Sequence, residues 1–478
     1  MVVGAFFLQG YEGPKNRYHQ HLEAKTKEVC TDHGDDVFCT HLPLLNITTD
    51  GEIPGPYVID DKGNKILTED GEDIRSRNTV NSSIKFINSK NANNHLNDMP
   101  EIDANAQFRI RGNSSRRFDK KSYLIQFVDE NNMKLDVSLD GMPADDSWAL
   151  HGPFLDKTLI RNYMCNNIVA EIDGYAPNVR FCEFVLNGEY KGVYLLLEKI
   201  NYNKNGRVKI TKTDPKETST SYILKFESGE TEDLYKLETF ADQTGKRGIS
   251  QRSNEKLEIL YPSTTLTQEQ KTMIQYEISD FEKILMSKNT EKNFKNIEKY
   301  IDVQSFVDFY ILSEFFMNND AGKQSTFVIK DVRGKIKIAG WDYNNVFNNF
   351  FVDLRYPQDF CLNNSWYSYL LKNPEFVDRV VSSYKKLRKS YLSDEYLYQY
   401  IDETIEYLGP AIDRNNEVWG YSFSEDFIND EKNSVQTLAP KRRNPRSYKE
   451  AVDDMKEMIS ERGKFLDENI DYLYLNCE

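Results

Sequence analysis

Phe315 to Asn345 reads FFMNNDAGKQSTFVIKDVRGKIKIAGWDYNN, two Asp-centred segments joined by the pattern of a short antiparallel hairpin. From Ser325 to Lys330, β-branched or aromatic residues alternate with polar ones. Val332-Arg333-Gly334 supplies a turn, and Lys335 to Ala339 alternates again. Such a hairpin folds back on itself, so it predicts that Asp320 and Asp342 lie close in space.

An enzyme that handles a nucleoside triphosphate needs one carboxylate to orient or deprotonate the acceptor hydroxyl and another to hold magnesium. In protein kinases an Asp opens the catalytic loop, a metal-binding Asn follows five residues later, and a hairpin leads to a second, metal-binding Asp. Here Ser325 stands five residues after Asp320, and Asp342 follows the hairpin. The order agrees and one ligand type differs. The same spacing also suits two turn-capping aspartates, one after a helix ending near Met317 and one opening the next turn.

Four stretches, in order, carry a resemblance to a known family. They are RIRGNSSRRFDKKSYLIQF (Arg109 to Phe127), LIRNYMCNNIVAEI (Leu159 to Ile172), YKGVYLLLEKI (Tyr190 to Ile200), and Asp320 with Trp341-Asp342. Over roughly residues 42 to 420 the chain resembles the spore coat protein H (CotH) family of atypical, kinase-like proteins. The resemblance implies an α+β, two-lobed protein-kinase-like fold, with an antiparallel-sheet small lobe and a mostly helical large lobe. It also implies an ATP- and magnesium-dependent kinase that moves the γ-phosphoryl group to Ser or Thr hydroxyls of a protein substrate. Asp320 would be the base or orienter and Asp342 the magnesium ligand, with Ser325 and Asn344 as further metal partners. The family also includes non-catalytic coat scaffolds and surface adhesins. Ser325 keeps that reading open, because a hydroxyl is a poorer magnesium ligand than an amide carbonyl. Another nucleotide-dependent transfer, such as adenylylation, is the third reading. The setting implied is a spore coat or a secreted or cell-surface location rather than free cytoplasm.

Composition sets the outer bounds. The 478 residues are long for one core, and 39% apolar content with a net charge of −15 describes a globular chain on the polar side. That charge argues against a nucleic-acid partner, since backbone phosphates demand a basic face. Six cysteines are too few for a disulfide scaffold at this length. Cys30 and Cys39 can pair across a short loop, whereas Cys165 lies in an apolar helical pattern and reads as a core thiol. The apolar start, MVVGAFFLQG, is too short for a membrane span and has no basic lead-in, so residues 1–40 read as a trimmed leader or poorly structured segment. No other stretch is long and apolar enough to span a bilayer. Six scattered histidines make no H-E-x-x-H context, and no G-x-S-x-G occurs. A glycosidase carboxylate pair has no positive support.

Within a sheet-rich small lobe over residues 41–200, Leu42 to Phe127 alternates in short segments broken by Gly, Asp and Asn, which predicts an antiparallel sheet. Within it Arg109, Arg111, Arg116, Arg117, Lys120 and Lys121 gather around the single acid Asp119. This is the best anion site in an acidic chain. Gly112 lets the backbone turn close to a ligand, Asn113 and Ser114 offer donors, and Lys121 on the returning strand can reach back. An edge strand guarded by charge is the alternative. The resemblance assigns this loop, Arg111 and Lys121 to the nucleotide, although no G-x-G-x-x-G or Walker-type motif is present.

Asp156 predicts a helix cap, with the helix running from about Lys157 to Ile172 and Arg161 and Asn162 in its first turn, a pair typical of the family that the resemblance implies, with Arg161 counted among the nucleotide-binding residues. Val179 to Leu186, Asn187-Gly188 and Tyr190 to Leu197 form the clearest hairpin in the chain. Glu198, at its end, stands where a kinase hinge would meet the base of the nucleotide. Residues 201–478 read as a passage with one strand at Tyr222 to Phe226, then mostly helix: Gln268 to Met286, Phe294 to Lys299, Val303 to Met317, Pro374 to Leu392 and Asp394 to Leu408. Trp366, Tyr367, Tyr369 and Trp419 read as core aromatics. Lys441, Arg442, Arg443, Arg446 and Lys449 read as a solvated charge run.

Overall fold

Alternating apolar positions build the first half of the chain into strands, and in the computed structural model these strands close on themselves. The structure describes residues 17–24, 27, 38–60, 64–66, 76–204, 206, 208–227, 234–246, 256–287, 290–350, 358–363 and 366–477. Cys30, and with it the Cys30–Cys39 pairing, lies outside the described residues.

Seven strands form a barrel: β1 (Leu44–Thr49), β2 (Val80–Ile87), β3 (Ile102–Arg111), β4 (Ser122–Val128), β5 (Ser147–His151), β6 (Val179–Leu186) and β7 (Glu189–Glu198), in the order β1-β2-β3-β4-β5-β7-β6. All neighbours are antiparallel except the closing pair, where Leu44 to Ile47 lie parallel to Glu183 to Leu186. The expected antiparallel sheet is therefore a closed barrel with one parallel seam. Successive side chains point to opposite faces, which sorts the strands into two apolar sets. Ile84, Phe86, Phe108, Ile125, Trp148, Leu150, Phe184 and Leu196 fill the barrel. Val179, Phe181, Val193, Leu195 and Leu197 face outward onto α1 (Arg161–Ile172), joining Ile160, Tyr163, Met164 and Ile168. Strands buried on both faces explain the unbroken apolar run in YLLL.

The expected start of α1 at Lys157 is corrected to Arg161. Leu159 has φ of 67°, a left-handed conformation that interrupts the helix ladder. Asp156 still caps the turn, accepting from the Thr158 amide at 3.1 Å and the Arg161 amide at 2.9 Å.

The hairpin from the opening stretch is present as β10 (Thr326–Lys330) and β11 (Lys337–Gly340). It belongs to a four-stranded sheet with β8 (Tyr222–Glu227) and β9 (Lys256–Tyr261), ordered β9-β8-β10-β11. Helices α2 (Gln268–Leu285), α3 (Val303–Phe315), α4 (Pro374–Leu387), α5 (Asp394–Leu408), α6 (Pro410–Trp419) and α7 (Tyr448–Asn469) pack around it. Local chemistry sets their starts: the Thr267 and Gln270 side chains cap reciprocally ahead of α2, and Asn373, Ser393 and Ser447 cap α4, α5 and α7. Helix α3 is buried along its whole length except Gln304. Phe306, Val307, Ile311, Leu312 and Phe315 on it each contribute about 1.5–3 kcal/mol by leaving water. Trp366 and Tyr367 are core residues, as their spacing suggests. The C-terminal basic run is only partly solvated: Arg442 and Arg446 are exposed, but Arg443 reaches inward to the carbonyls of Asn348 and Ala439.

Residues 17–24 dock on this framework. The Arg17 guanidinium donates to Asn167 Oδ1 and to the carbonyls of Ala176 and Pro177. The Gln20 amide exchanges two hydrogen bonds with the backbone of Phe181, at 2.7 and 3.2 Å. Among the described residues no helix is long and apolar enough to cross a membrane.

Candidate active site

The β10–β11 hairpin brings its two flanking segments together. Thr326 pairs with Gly340, and the Trp341 amide donates to the Ser325 carbonyl at 2.8 Å. Asp320 sits in the turn after α3, where its carbonyl accepts from the amides of Lys323 and Gln324. The two sites then touch directly: Asn345 Nδ2 lies 3.5 Å from Asp320 Oδ2, a long contact joining one loop to the other. Helix α1 fixes the second loop from behind. Asn162 Oδ1 accepts from the Tyr343 amide at 2.6 Å while its Nδ2 lies 3.5 Å from Asp342 Oδ1. Arg161, paired with Asp156 at 2.6 Å, donates through Nε to the Val346 carbonyl at 3.2 Å. Its guanidinium thus braces the loop from the helix side.

Backbone strain gathers at this place. Among the described residues nine non-glycine residues have positive φ, and five of them, Met317, Ser325, Asp342, Phe347 and Asn348, fall between 317 and 348. Each such conformation costs on the order of 1–3 kcal/mol and persists only where surrounding contacts enforce it, which is the usual situation of a functional loop.

The donor set is one of hard oxygens. Besides the carboxylates of Asp320 and Asp342, the buried amide oxygens Asn319 Oδ1 and Asn344 Oδ1 have no hydrogen-bond partner. A buried acceptor left unmet is costly, and the two belong to the same loops as the two carboxylates, a set of hard oxygens that suits a divalent cation. Among the described residues no group of three or more His, Cys, Asp or Glu side chains forms a metal cage. Magnesium does not require one, since it binds through one or two carboxylates and completes its shell with substrate phosphates and water. The residues present therefore fit magnesium.

The basic loop divides on inspection. The middle of β3, Asn105 to Phe108, is paired on both sides, whereas Arg109 to Arg111 pair with β4 alone, so the edge-strand alternative fails for the body of the strand and holds for its basic end. Arg116 spends its guanidinium on the carbonyls of Gly112, Pro56 and Ser76, and Lys120 is buried between the Val193 carbonyl and Asn415 Oδ1, 2.7 Å from each. Arg111 faces the hairpin instead. Its guanidinium carbon lies 5.6 Å from the centre of the Trp341 ring, and Asp342 partly offsets the downward pull of burial on its pKa. Gly112 has φ of 110°, and a Cβ there would stand 2.0 Å from Ser115 Oγ. Only glycine allows the turn. Asn113 and Ser114 follow at the start of a 3₁₀ turn, Ser114–Arg117, the first exposed and the second half-buried. Lys121 Nζ donates to the Arg116 carbonyl at 3.0 Å, and burial lowers its pKa.

Glu198 sits elsewhere. Its carboxylate accepts from the Asn178 amide at 2.7 Å, and it pairs with Trp148, whereas His151, in the same row as Arg111, pairs with Leu195. Three residues of strand put it roughly 10 Å along β7 from that row. Asn345, Asn319 and Asn162 complete the site without having been assigned roles from sequence. The signal for the first two was the pairing of Asn with each Asp, in Asn318-Asn319-Asp320 and Asp342-Tyr343-Asn344-Asn345.

Comparison with known proteins gives two findings. The profile of a family described as CotH kinase protein matches residues 108–466. The chain is also similar to the inner spore coat protein H of Bacillus subtilis (strain 168), 22% identical over 307 residues that cover 63% of this chain and 73% of that relative.

Proposed function

The chain belongs to the CotH family of kinase proteins, and from that premise we propose that it is an atypical ATP- and magnesium-dependent protein kinase phosphorylating Ser or Thr hydroxyls. The observation that carries the reading is the pair Asp320 and Asp342, bridged by Asn345 and flanked by two partnerless amide oxygens. In this reading the barrel with α1 acts as the small lobe and the four-stranded sheet with its helices as the large one.

Asp320 orients the acceptor hydroxyl and takes its proton as that oxygen bonds to the γ-phosphorus and ADP departs. Asp342, with Asn344 and Ser325 near it, holds magnesium, which when bound neutralises charge on the phosphates. Arg111, Asn113, Ser114 and Lys121 hold the phosphates from the barrel side, and Arg161 keeps the Asp342 loop in place. Glu198 serves as a clamp on Asn178 in this scheme rather than as a ligand of the base. A second reading, a non-catalytic coat scaffold or surface protein, is favoured by the relative's name as a coat protein and by Ser325 in place of Asn. Similarity to a spore coat protein favours a spore coat or cell-surface setting over free cytoplasm.

Incubating the purified protein with γ-labelled and, separately, α-labelled ATP decides among them. Protein labelled from the γ position supports the kinase, label from the α position indicates nucleotidyl transfer, and no label with either leaves the scaffold. A second expected outcome concerns the metal. Asp342→Asn should weaken magnesium-dependent ATP binding by about tenfold or more, the loss expected when an ionised ligand becomes neutral. Asn tolerates left-handed φ, so the loop should keep its shape. Calorimetry with and without magnesium measures this, and an unchanged affinity and metal dependence would take Asp342 out of the site.

A further inference from the structure

One polar side chain near the Asp342 loop has no place in the reaction just described. Arg111 pairs with Ser122 across β3 and β4, and Tyr123 pairs with Leu150 across β4 and β5, which sets Ser122 beside His151. Residues in register share a face, so Arg111, Ser122 and His151 form a row across three strands. The row looks outward, because His151 pairs in turn with Leu195, which packs with Val193 and Leu197 on the helix side of the barrel. That side also carries α1 and, through Arg111 and Trp341, the hairpin.

His151 is 7% exposed, and its Nε2 atom is buried with no hydrogen-bond partner. Ser122 Oγ accepts from the Gly152 amide at 3.1 Å and lies 3.4 Å from His151 Nδ1, so its hydroxyl proton can point at that nitrogen. In the tautomer in which Nδ1 accepts that proton, Nε2 carries the ring proton. Burial lowers the imidazole pKa to about 4, with Asp342 opposing the shift and Arg111 adding to it, so the ring is neutral at pH 7. The backbone that follows it is closely packed: a Cβ on Gly152 would stand 2.6 Å from the Lys121 carbonyl and 2.9 Å from Tyr194. In that tautomer a buried N–H donor sits two strands from Arg111, on the same face, with nothing to donate to. A packing role alone would be better served by Leu or Phe, which leave no donor unmet.

We propose that His151 is an anion-binding residue of this site, its Nε2–H donating to a phosphate oxygen of the bound nucleotide beside Arg111. The inference rests on the reading that the site takes a nucleoside triphosphate. The test compares magnesium-ATP binding by calorimetry, and melting without ligand, in the full chain and in His151→Leu and His151→Gln. Loss of a hydrogen bond to a charged oxygen should weaken binding about tenfold or more in His151→Leu. Ligand-free stability should change little, because the unmet Nε2 donor is gone while the Ser122 hydroxyl loses only a long contact at 3.4 Å. His151→Gln, whose amide Nε2 can present a donor in the same direction, should stay within about threefold of wild type. Leu binding ATP as tightly as wild type overturns the inference while leaving the kinase reading intact. A drop in ligand-free melting that accompanies any loss of affinity also overturns it, since His151 is then structural. Wild type that binds no nucleotide overturns both.

Discussion

Replacing Arg462 by methionine is expected to lower stability by about 3–5 kcal/mol, the usual cost of removing one partner from a buried ion pair. Arg462 on α7 is 0% exposed and Glu314, in the last turn of α3, is 1% exposed, with Nη2 and Oε2 2.6 Å apart. Arg462 also donates from Nε to the Glu314 carbonyl at 2.8 Å and from Nη1 to the Asp359 carbonyl at 2.6 Å. The Glu314 carboxylate in turn accepts from the amides of Cys361 and Leu362. Methionine fills much the same space but leaves that carboxylate buried without a counter-charge. Guanidinium denaturation should show a lower midpoint with a similar slope. Adding Glu314→Gln to Arg462→Met should recover part of the loss, because the neutral amide is cheaper to bury unpaired. An unchanged midpoint in the single variant would mean the pair contributes nothing. Glu314 stands six residues before Asp320, so the pair also anchors the helix from which the Asp320 turn departs.

Asp320→Asn is expected to keep ATP affinity near wild type and cut phosphoryl transfer by about 10²-fold or more, the scale typical of a positioned general base. A carboxylate that only orients or accepts a hydroxyl proton makes little contact with ground-state ATP, so its loss falls on turnover. Asn is nearly isosteric. Its side-chain oxygen can still accept from Asn345 Nδ2, as Asp320 Oδ2 does at 3.5 Å, and a purely turn-capping role would survive the change. Transfer at the wild-type rate in this variant would remove Asp320 from the chemistry.

What could be read from the sequence was whatever local pattern decides. The alternation in Ser325 to Lys330 and the Asn187-Gly188 turn located two hairpins, and the helical stretches Gln268 to Met286, Pro374 to Leu392 and Asp394 to Leu408 located α2, α4 and α5. Ser147–His151 and Lys256–Tyr261 went unread because each is a short strand whose identity comes from its neighbours in the sheet. Helix α7 was masked by the basic run that precedes it. The site was half legible. The Asp320 and Asp342 pair follows from the hairpin, but the basic loop looks uniform in sequence, and only burial separates Arg116 and Lys120, which hold backbone carbonyls, from Arg111, which faces Asp342. Asp156 marked a real cap, yet nothing in Lys157 to Ile160 announces the left-handed Leu159 that delays the helix.

The parallel seam between Leu44–Thr49 and Val179–Leu186 dictates an order of events during synthesis. The two strands stand about 140 residues apart, and such distant pairing forms late. Until β6 has left the ribosome, the free side of β1 is an unpaired edge open to other chains. Nascent chains stalled before residue 186 should therefore be the aggregation-prone species, more so than the finished protein. Gln20 grips the backbone of Phe181 just beyond the seam, so residues 17–24, translated well before β6, cannot lock into place until β6 is present.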